Sequence, residues 1–345
     1  MHPDQHGGDL ASYPGVQLDF SINLNPLGIP QSVKDAIVSS LDEVAGYPDP
    51  QCRALRQALA EEHGLGADRI VCGNGASDLI YRICDALRPA KVLLPTPTFS
   101  EYERSAVLCG AEVIQNSIEI PGCYDLTEGF LNQLVPGVDL VFLCQPNNPT
   151  GRLIERELLL SIVEKTAEIG AFLVVDECFL PFTEAESLTS LTNQSAHLIV
   201  LRALTKTHSL AGLRLGYAVF GDTALAGRIA RQGQQWNVSS IAQAAGLAAL
   251  HVPDWMENTR EFVQTERAWL TDELRGLGLE VIDSDANFLL FRSPVDLHEP
   301  LLERGILIRS CANFPGLDDS YWRIGIKAHP DNLTLVANLK EVLRG

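Results

Sequence analysis

Apolar residues recur along this chain in two rhythms. Short, nearly unbroken apolar runs fall at Arg69–Gly73, Lys91–Pro95, Ala111–Ser117, Asp139–Cys144, Ala171–Asp176, His197–Arg202 and Leu213–Gly221. Between several of them the pattern changes to that of an amphipathic helix, at Ser77–Leu87, Ser100–Cys109 and Glu155–Ile169. Strands apolar on both sides that alternate with helices predict an α/β fold whose mostly parallel sheet is covered on both faces. From Asp254 the rhythm differs. A long charged helix is expected over Asp254–Gly276, then strands at Leu279–Asp283 and Ala286–Arg292. A helix near Leu297–Arg304, strands at Ile306–Arg309 and Tyr321–Lys327, and a closing helix from Asn332 follow. That series predicts a smaller α+β domain. Helix patterns at Gln31–Leu41 and Arg53–His63 precede the first run. The expected organisation is an N-terminal segment (1–45) packing with the small domain, a large domain (46–253) and a small C-terminal domain (254–345). In open α/β sheets ligands bind beyond the carboxyl ends of the strands, so chemistry is expected just after the apolar runs.

Composition narrows the partners. The chain has 345 residues and a formal net charge of −18. Such a surface repels phosphate backbones and anionic lipid, which argues against nucleic acid and membranes. An anionic substrate would need a local cluster of arginines or backbone N–H groups working against that field. The eight cysteines form no CxxC pair, and no Cys/His cluster has zinc spacing, so neither a metal site nor a disulfide framework is expected. Free cysteines in apolar runs fit a reducing cytoplasm. The start, MHPDQHGGDL, has no basic segment followed by an apolar run, and no apolar stretch is long enough for a membrane span.

Four motifs carry chemistry. In Ala203-Leu204-Thr205-Lys206-Thr207 a lysine stands directly after a strand, with Arg214 and Gly216 following. A lysine that forms a Schiff base needs a fixed position and a nearby anion-binding group, which Arg214 and the hydroxyls of Thr205 and Thr207 could supply. In Val174-Val175-Asp176-Glu177-Cys178-Phe179 a carboxylate ends an apolar strand, where it needs a cationic partner. Gly73-Asn74-Gly75-Ala76-Ser77 opens a helix after a strand and can aim backbone N–H groups at an anion. Gln145-Pro146-Asn147-Asn148-Pro149-Thr150-Gly151 is a stiff loop that presents Asn148.

Taken in this order and at this spacing, the four motifs resemble the class I/II aminotransferase superfamily, the fold type I enzymes of pyridoxal 5'-phosphate (PLP). The resemblance covers essentially the whole chain. It implies that Lys206 binds PLP, that Asp176 meets the pyridine nitrogen, and that Asn148 meets the ring hydroxyl and the substrate side. It further implies that Ala76, Ser77, Thr205 and Arg214 hold the cofactor phosphate. Tyr47, in Tyr47-Pro48-Asp49-Pro50, would reach the cofactor phosphate of a neighbouring subunit, hence a homodimer.

Within the superfamily two families are similar. The histidinol-phosphate aminotransferases share the cofactor motifs and Tyr47–Pro50. The threonine-phosphate decarboxylases of cobalamin biosynthesis match more specifically. That match lies in His6-Gly7-Gly8, in Asp19-Phe20-Ser21-Ile22-Asn23-Leu24-Asn25-Pro26-Leu27-Gly28, and in Ile308-Arg309-Ser310-Cys311-Ala312-Asn313-Phe314-Pro315-Gly316-Leu317. Phe179, where aminotransferases often keep a tyrosine, points the same way. This resemblance implies a small phospho-amino acid substrate bound by Asn23, Asn148, Arg309 and Arg323, with His6 and Gly7 closing over it. The implied reaction is decarboxylation of O-phospho-L-threonine to (R)-1-amino-2-propanol O-phosphate. The alternative is transamination of the histidinol-phosphate type. The planar fork of arginine matches both anionic groups of such a substrate.

Overall fold

The computed structural model describes residues 6–118 and 123–344. The outermost residues of the expected segments 1–45 and 254–345, namely 1–5 and 345, lie outside the described residues. In chain order the first elements are β1 (Leu18–Asp19), α1 (Gln31–Ser39) and α2 (Arg53–His63). A seven-stranded sheet follows, built from β2 (Ile70–Gly73), β3 (Lys91–Thr96), β4 (Glu112–Ser117), β5 (Leu140–Cys144), β6 (Phe172–Asp176), β7 (Leu198–Ala203) and β8 (Gly216–Phe220). Helices α3 (Ala76–Leu87), α4 (Ser100–Leu108), α5 (Arg156–Glu168) and the single turn α6 (Leu204–Thr207) connect its strands.

The strand order is β2-β8-β7-β6-β5-β3-β4, and only β8 runs antiparallel to its neighbours. The expected mostly parallel α/β sheet is therefore present. Alternation along each strand feeds two cores. Val141, Leu143, Leu173, Val175 and Val200 face one. Leu140, Phe142, Val174, Ile199 and Leu201 face the other. Both faces are covered, which is why these strands read as continuous apolar runs rather than alternating ones.

The chain continues through α7 (Thr223–Gln232), α8 (Ser240–Ala249) and the long α9 (Trp255–Gly276). Then come β9 (Glu280–Val281), β10 (Phe288–Arg292), α10 (His298–Leu302), β11 (Ile306–Leu307), β12 (Arg309–Ser310), β13 (Tyr321–Gly325) and α11 (His329–Val342). Strands β12-β13-β10-β9 form an antiparallel sheet. The apolar run from Ile306 is split: β11 pairs in parallel with β1, and Arg309 begins a separate strand on β13. The segment after β1 also joins this layer, because Gly325 N donates to Phe20 O (2.9 Å) and Phe20 sits in its core. Helix α1 instead rests against α8, with Val33 in the same core as Ala242 and Ala245.

Pairing fixes the site. Strands β2, β5, β6 and β7 all end on one edge of the large sheet, where β8 begins; Gly73 and Ala203 both face Gly216 across the ladder. The four sequence motifs therefore meet at one edge.

Candidate active site

At that edge lies a cavity of about 220 Å³. It is lined by Ala76, Ser77, Asn148, Asp176, Thr205, Lys206 and Arg214 from the large sheet, and by Arg309 and Arg323 from the small one. His6, Gly7 and Asn23 close it from the N-terminal side. Every residue assigned from sequence to the cofactor or substrate reaches it, except Tyr47. That side chain is 82 % exposed and stacks on Trp236 with ring centroids 4.5 Å apart. Thr207 also points elsewhere, its hydroxyl pairing with His208 Nδ1 (2.9 Å).

Lys206 sits on α6, directly after β7. Its Nζ donates to Asn23 Oδ1 (3.1 Å) and stands 5.6 Å from the centre of the Phe179 ring. Enclosure, reinforced by the nearby Arg323, lowers its pKa to about 8, so the neutral, nucleophilic amine forms at a lower pH than in an ordinary lysine. The turn is held from behind. Asn25 N donates to Lys206 O (2.9 Å), and Asn25 Nδ2 donates to Thr207 O (2.7 Å). Asn25 belongs to the second N-terminal motif, but nothing in the sequence alone signals this clamp.

Asp176 ends β6. Its Oδ1 accepts from Cys178 N (2.9 Å) and its Oδ2 from the Tyr102 hydroxyl (2.8 Å). Tyr102 is fully buried and stacked on Phe142. Sequence reasoning missed Tyr102, whose position on α4 reads as an ordinary core aromatic.

The α3 start forms a tight cradle. Gly75 has φ +84°, and a Cβ there would stand 2.7 Å from Arg214 Nη2. A Cβ on Gly216 would stand 2.5 Å from Ala76 N. Backbone thus approaches where only glycine fits, which leaves the first N–H groups of α3, the Ser77 hydroxyl and the Arg214 guanidinium around one small space. Thr205 lines the same wall, with its hydroxyl donating to Leu215 O (3.3 Å).

Arg309 and Arg323 are direct partners across the β12–β13 ladder, so both side chains project from the same face. Arg323 lies inside β13. It is pinned: Nη1 donates to Asn148 Oδ1 (2.5 Å) and Nη2 to Ser21 O (2.9 Å). Burial lowers its pKa to about 10. Arg309 Nη2 donates to Asn313 Oδ1 (2.9 Å), and its guanidinium lies over Phe314. Like charges opposed across a ladder repel. Two buried donors, Asn23 Nδ2 and Arg323 Nε, have no partner among the described residues. Four cations thus face one carboxylate, Asp176, in a protein of net charge −18. Such a pocket is built for anions.

These features fit PLP. An amine of lowered pKa, a carboxylate held by two hydrogen bonds, and a glycine-walled anion cradle surround one cavity. Fold and site together define a PLP enzyme. The chain belongs to the aminotransferase class I and II family, whose family model matches residues 16–339. It is 40% identical to the threonine-phosphate decarboxylase of Salmonella typhimurium, over 99% of this chain and 97% of that protein. It is 29% identical to the adenosylcobalamin biosynthesis bifunctional protein CobDQ of Leptospira interrogans, over 100% of this chain and 42% of that protein. Among solved structures it is similar to the histidinol-phosphate aminotransferase of Clostridium acetobutylicum. There the TM-score is 0.88 and the identity 31%, over 95% of this chain and 99% of that one.

Among the described residues no group of His, Cys, Asp and Glu could hold a metal ion, and no helix is long and apolar enough to cross a membrane.

Proposed function

We propose that this protein decarboxylates O-phospho-L-threonine to (R)-1-amino-2-propanol O-phosphate in cobalamin biosynthesis, with PLP as cofactor. The observation that carries this reading is the Arg309–Arg323 pair opposite Lys206. Beyond the cofactor phosphate, the pocket offers a second pair of cations for a substrate with two anionic groups. The similarity to the Salmonella decarboxylase supports it, as does the name of the Leptospira protein.

PLP, when bound, supplies an electron sink joined to the substrate nitrogen. Around it the chain has four tasks. Lys206, once its amine is neutral, would anchor the cofactor covalently and give way to the substrate amine. Asp176, steadied by Tyr102, holds a proton on the ring nitrogen. The α3 N–H groups, Ser77, Thr205 and Arg214 hold the cofactor phosphate, and Asn148 faces the ring hydroxyl. Arg309, Arg323 and Asn23 hold the carboxylate and phosphate of the substrate. The Cα–carboxylate bond breaks, its electron pair stays with Cα, and a proton from Lys206 or a water it orders replaces CO₂ there. By fixing the carboxylate, Arg309 and Arg323 would orient the Cα–carboxylate bond for cleavage. His6 and Gly7 close the mouth.

We place the activity in the cytoplasm and in a homodimer, with Tyr47 serving the partner's site. We assign residues 46–253 to the large cofactor-binding domain, 254–345 to the small one, and 1–45 to an N-terminal segment that packs with the small domain through β1 but rests α1 on the large one.

CO₂ release from O-phospho-L-threonine without any 2-oxo acid tests this function. Turnover is expected in wild type, and none in Lys206→Ala. The aminotransferase reading, favoured by the structural likeness to the Clostridium enzyme, predicts instead strict dependence on 2-oxoglutarate and turnover of histidinol phosphate.

A further inference from the structure

We propose that Glu101 is a positioning residue of this site: through His6 it holds residues 6–8 as a strap across the mouth of the pocket. The inference rests on the closing role proposed above for His6.

Glu101 stands in the first turn of α4 and is only 8 % exposed. A buried carboxylate must be compensated. Its Oε1 meets His6 Nε2 at 3.0 Å and Arg104 Nη1 at 3.7 Å, and its Oε2 accepts from the Tyr81 hydroxyl at 2.6 Å. The His6 contact is the main cause that holds the Glu101 carboxyl below its usual pKa. Glu101 does not line the cavity, whereas His6 does. Its side chain meets the cavity lining at His6.

The two residues after His6 are held on the opposite side. Gly8 N donates to Ser21 Oγ (2.9 Å), and that hydroxyl donates to Asp19 Oδ1 (2.5 Å). The backbone at Gly7 presses so closely on Ser21 that a Cβ would stand 2.2 Å from Ser21 O. Residues 6–8 therefore span from α4 to the loop after β1. Glycine at position 7 is required by the contact, not by the turn.

What lies beyond gives the strap its effect. A cleft of about 1050 Å³, lined by Asp9, Tyr13, Asp296 and His298 among others, abuts the strap from outside. His6, Gly7, Ser21 and Arg309 line both spaces. Lifting the strap would merge the small catalytic cavity with the large cleft and admit bulk water to the arginines. Water there weakens every charge interaction on which the substrate depends.

The test uses the PLP-loaded enzyme and four variants: Glu101→Gln, His6→Ala, their double, and Tyr81→Phe. Gln keeps an acceptor for Tyr81, so folding is spared. First, amide exchange over residues 7–20 is followed by mass spectrometry without substrate. Faster exchange is expected in Glu101→Gln and His6→Ala, and wild-type exchange in Tyr81→Phe. Second, the loss of one charge-assisted hydrogen bond should raise KM for O-phospho-L-threonine about fivefold in either single variant, with kcat within about twofold. The double variant should be no worse than either single one. Unchanged exchange in Glu101→Gln would overturn the proposal, as would equal loosening in Tyr81→Phe. So would a double-variant KM equal to the product of the two effects, or a loss confined to kcat. Should wild type release no CO₂ from this substrate, the proposed function fails, while the exchange arm still decides the strap.

Discussion

Lys206 shows how little a residue type says by itself and how much its surroundings add. A lysine after a strand is usually a surface lysine. Here enclosure and Arg323 lower its pKa from 10.5 to about 8. The sign is definite. The folded protein prefers the neutral amine, so between about 8 and 10.5 the unfolded chain binds the extra proton. In that window the contribution of this group to the stability of the cofactor-free protein rises with pH, and below it the cost is complete. Only the neutral amine attacks. The rate of PLP uptake, followed by absorbance in a stopped-flow instrument, should therefore climb with pH and level off above about 8. A plateau displaced toward the ordinary lysine value would refute the burial argument. Lys206, Asp176 and Asn148 were legible because each ends or follows an apolar run within a distinctive motif, and Arg214 because it completes the motif of the lysine. Tyr102, Asn25 and Glu101 were not. Their roles depend on contacts across the fold: Tyr102 reaches Asp176, Asn25 reaches Lys206 O, and Glu101 reaches His6. No local pattern announces such contacts.

Among the elements, strands with both faces buried were the most readable, because an unbroken apolar run has few other uses. Helices α7 and α8 escaped notice. Alanine and glycine crowd α8, leaving no clear apolar stripe against a polar face. The division of the Ile306 run into β11 and β12 was hidden for a different reason. It depends on two partners, β1 and β13, from opposite ends of the chain. The start of β8 tests how tightly elements must meet. Gly216→Ala places a methyl 2.5 Å from Ala76 N, so α3 must retreat from the sheet edge. Overpacking of this kind costs about 1–3 kcal/mol. Thermal unfolding of the cofactor-free protein should show that loss, and PLP affinity measured by titration should fall about tenfold or more, since the cradle itself moves. Wild-type PLP affinity in this variant would mean that the α3 start is not the phosphate site.

On the scale of the whole molecule, acidity and anion binding coexist because the charges are segregated. The net charge is −18, yet Lys206, Arg214, Arg309 and Arg323 gather at one cavity. Composition alone argued against anionic macromolecules and left room for a small anionic substrate, but only the fold brought those four residues together. Another surface is apolar where it should be polar. Leu41 and Val44 on the N-terminal segment, Tyr47 just after it, and Trp236 beyond α7 are all exposed, Tyr47 and Trp236 stacked together. The homodimer proposed above would cover them. Sedimentation should show a dimer, and Leu41→Asp with Val44→Asp should yield a monomer that has lost turnover through removal of Tyr47 from its neighbour's site. A fully active monomer would contradict the proposed role of Tyr47.

The pairing of β1 with β11 also bears on how the protein is made. Leu18 meets Ile306, so β1, once translated, must wait until β11 has emerged. Until then β1 has no partner, and the Ser21 carbonyl has no Arg323 to accept from. Contacts so distant in sequence form slowly, and an unpaired edge is exposed to wrong partners meanwhile. The large sheet can assemble as it emerges, but the substrate end of the site cannot exist until β11 to β13 have followed. A stalled or truncated nascent chain would therefore carry the cofactor motifs without the arginines, and with them no means of binding a phospho-amino acid.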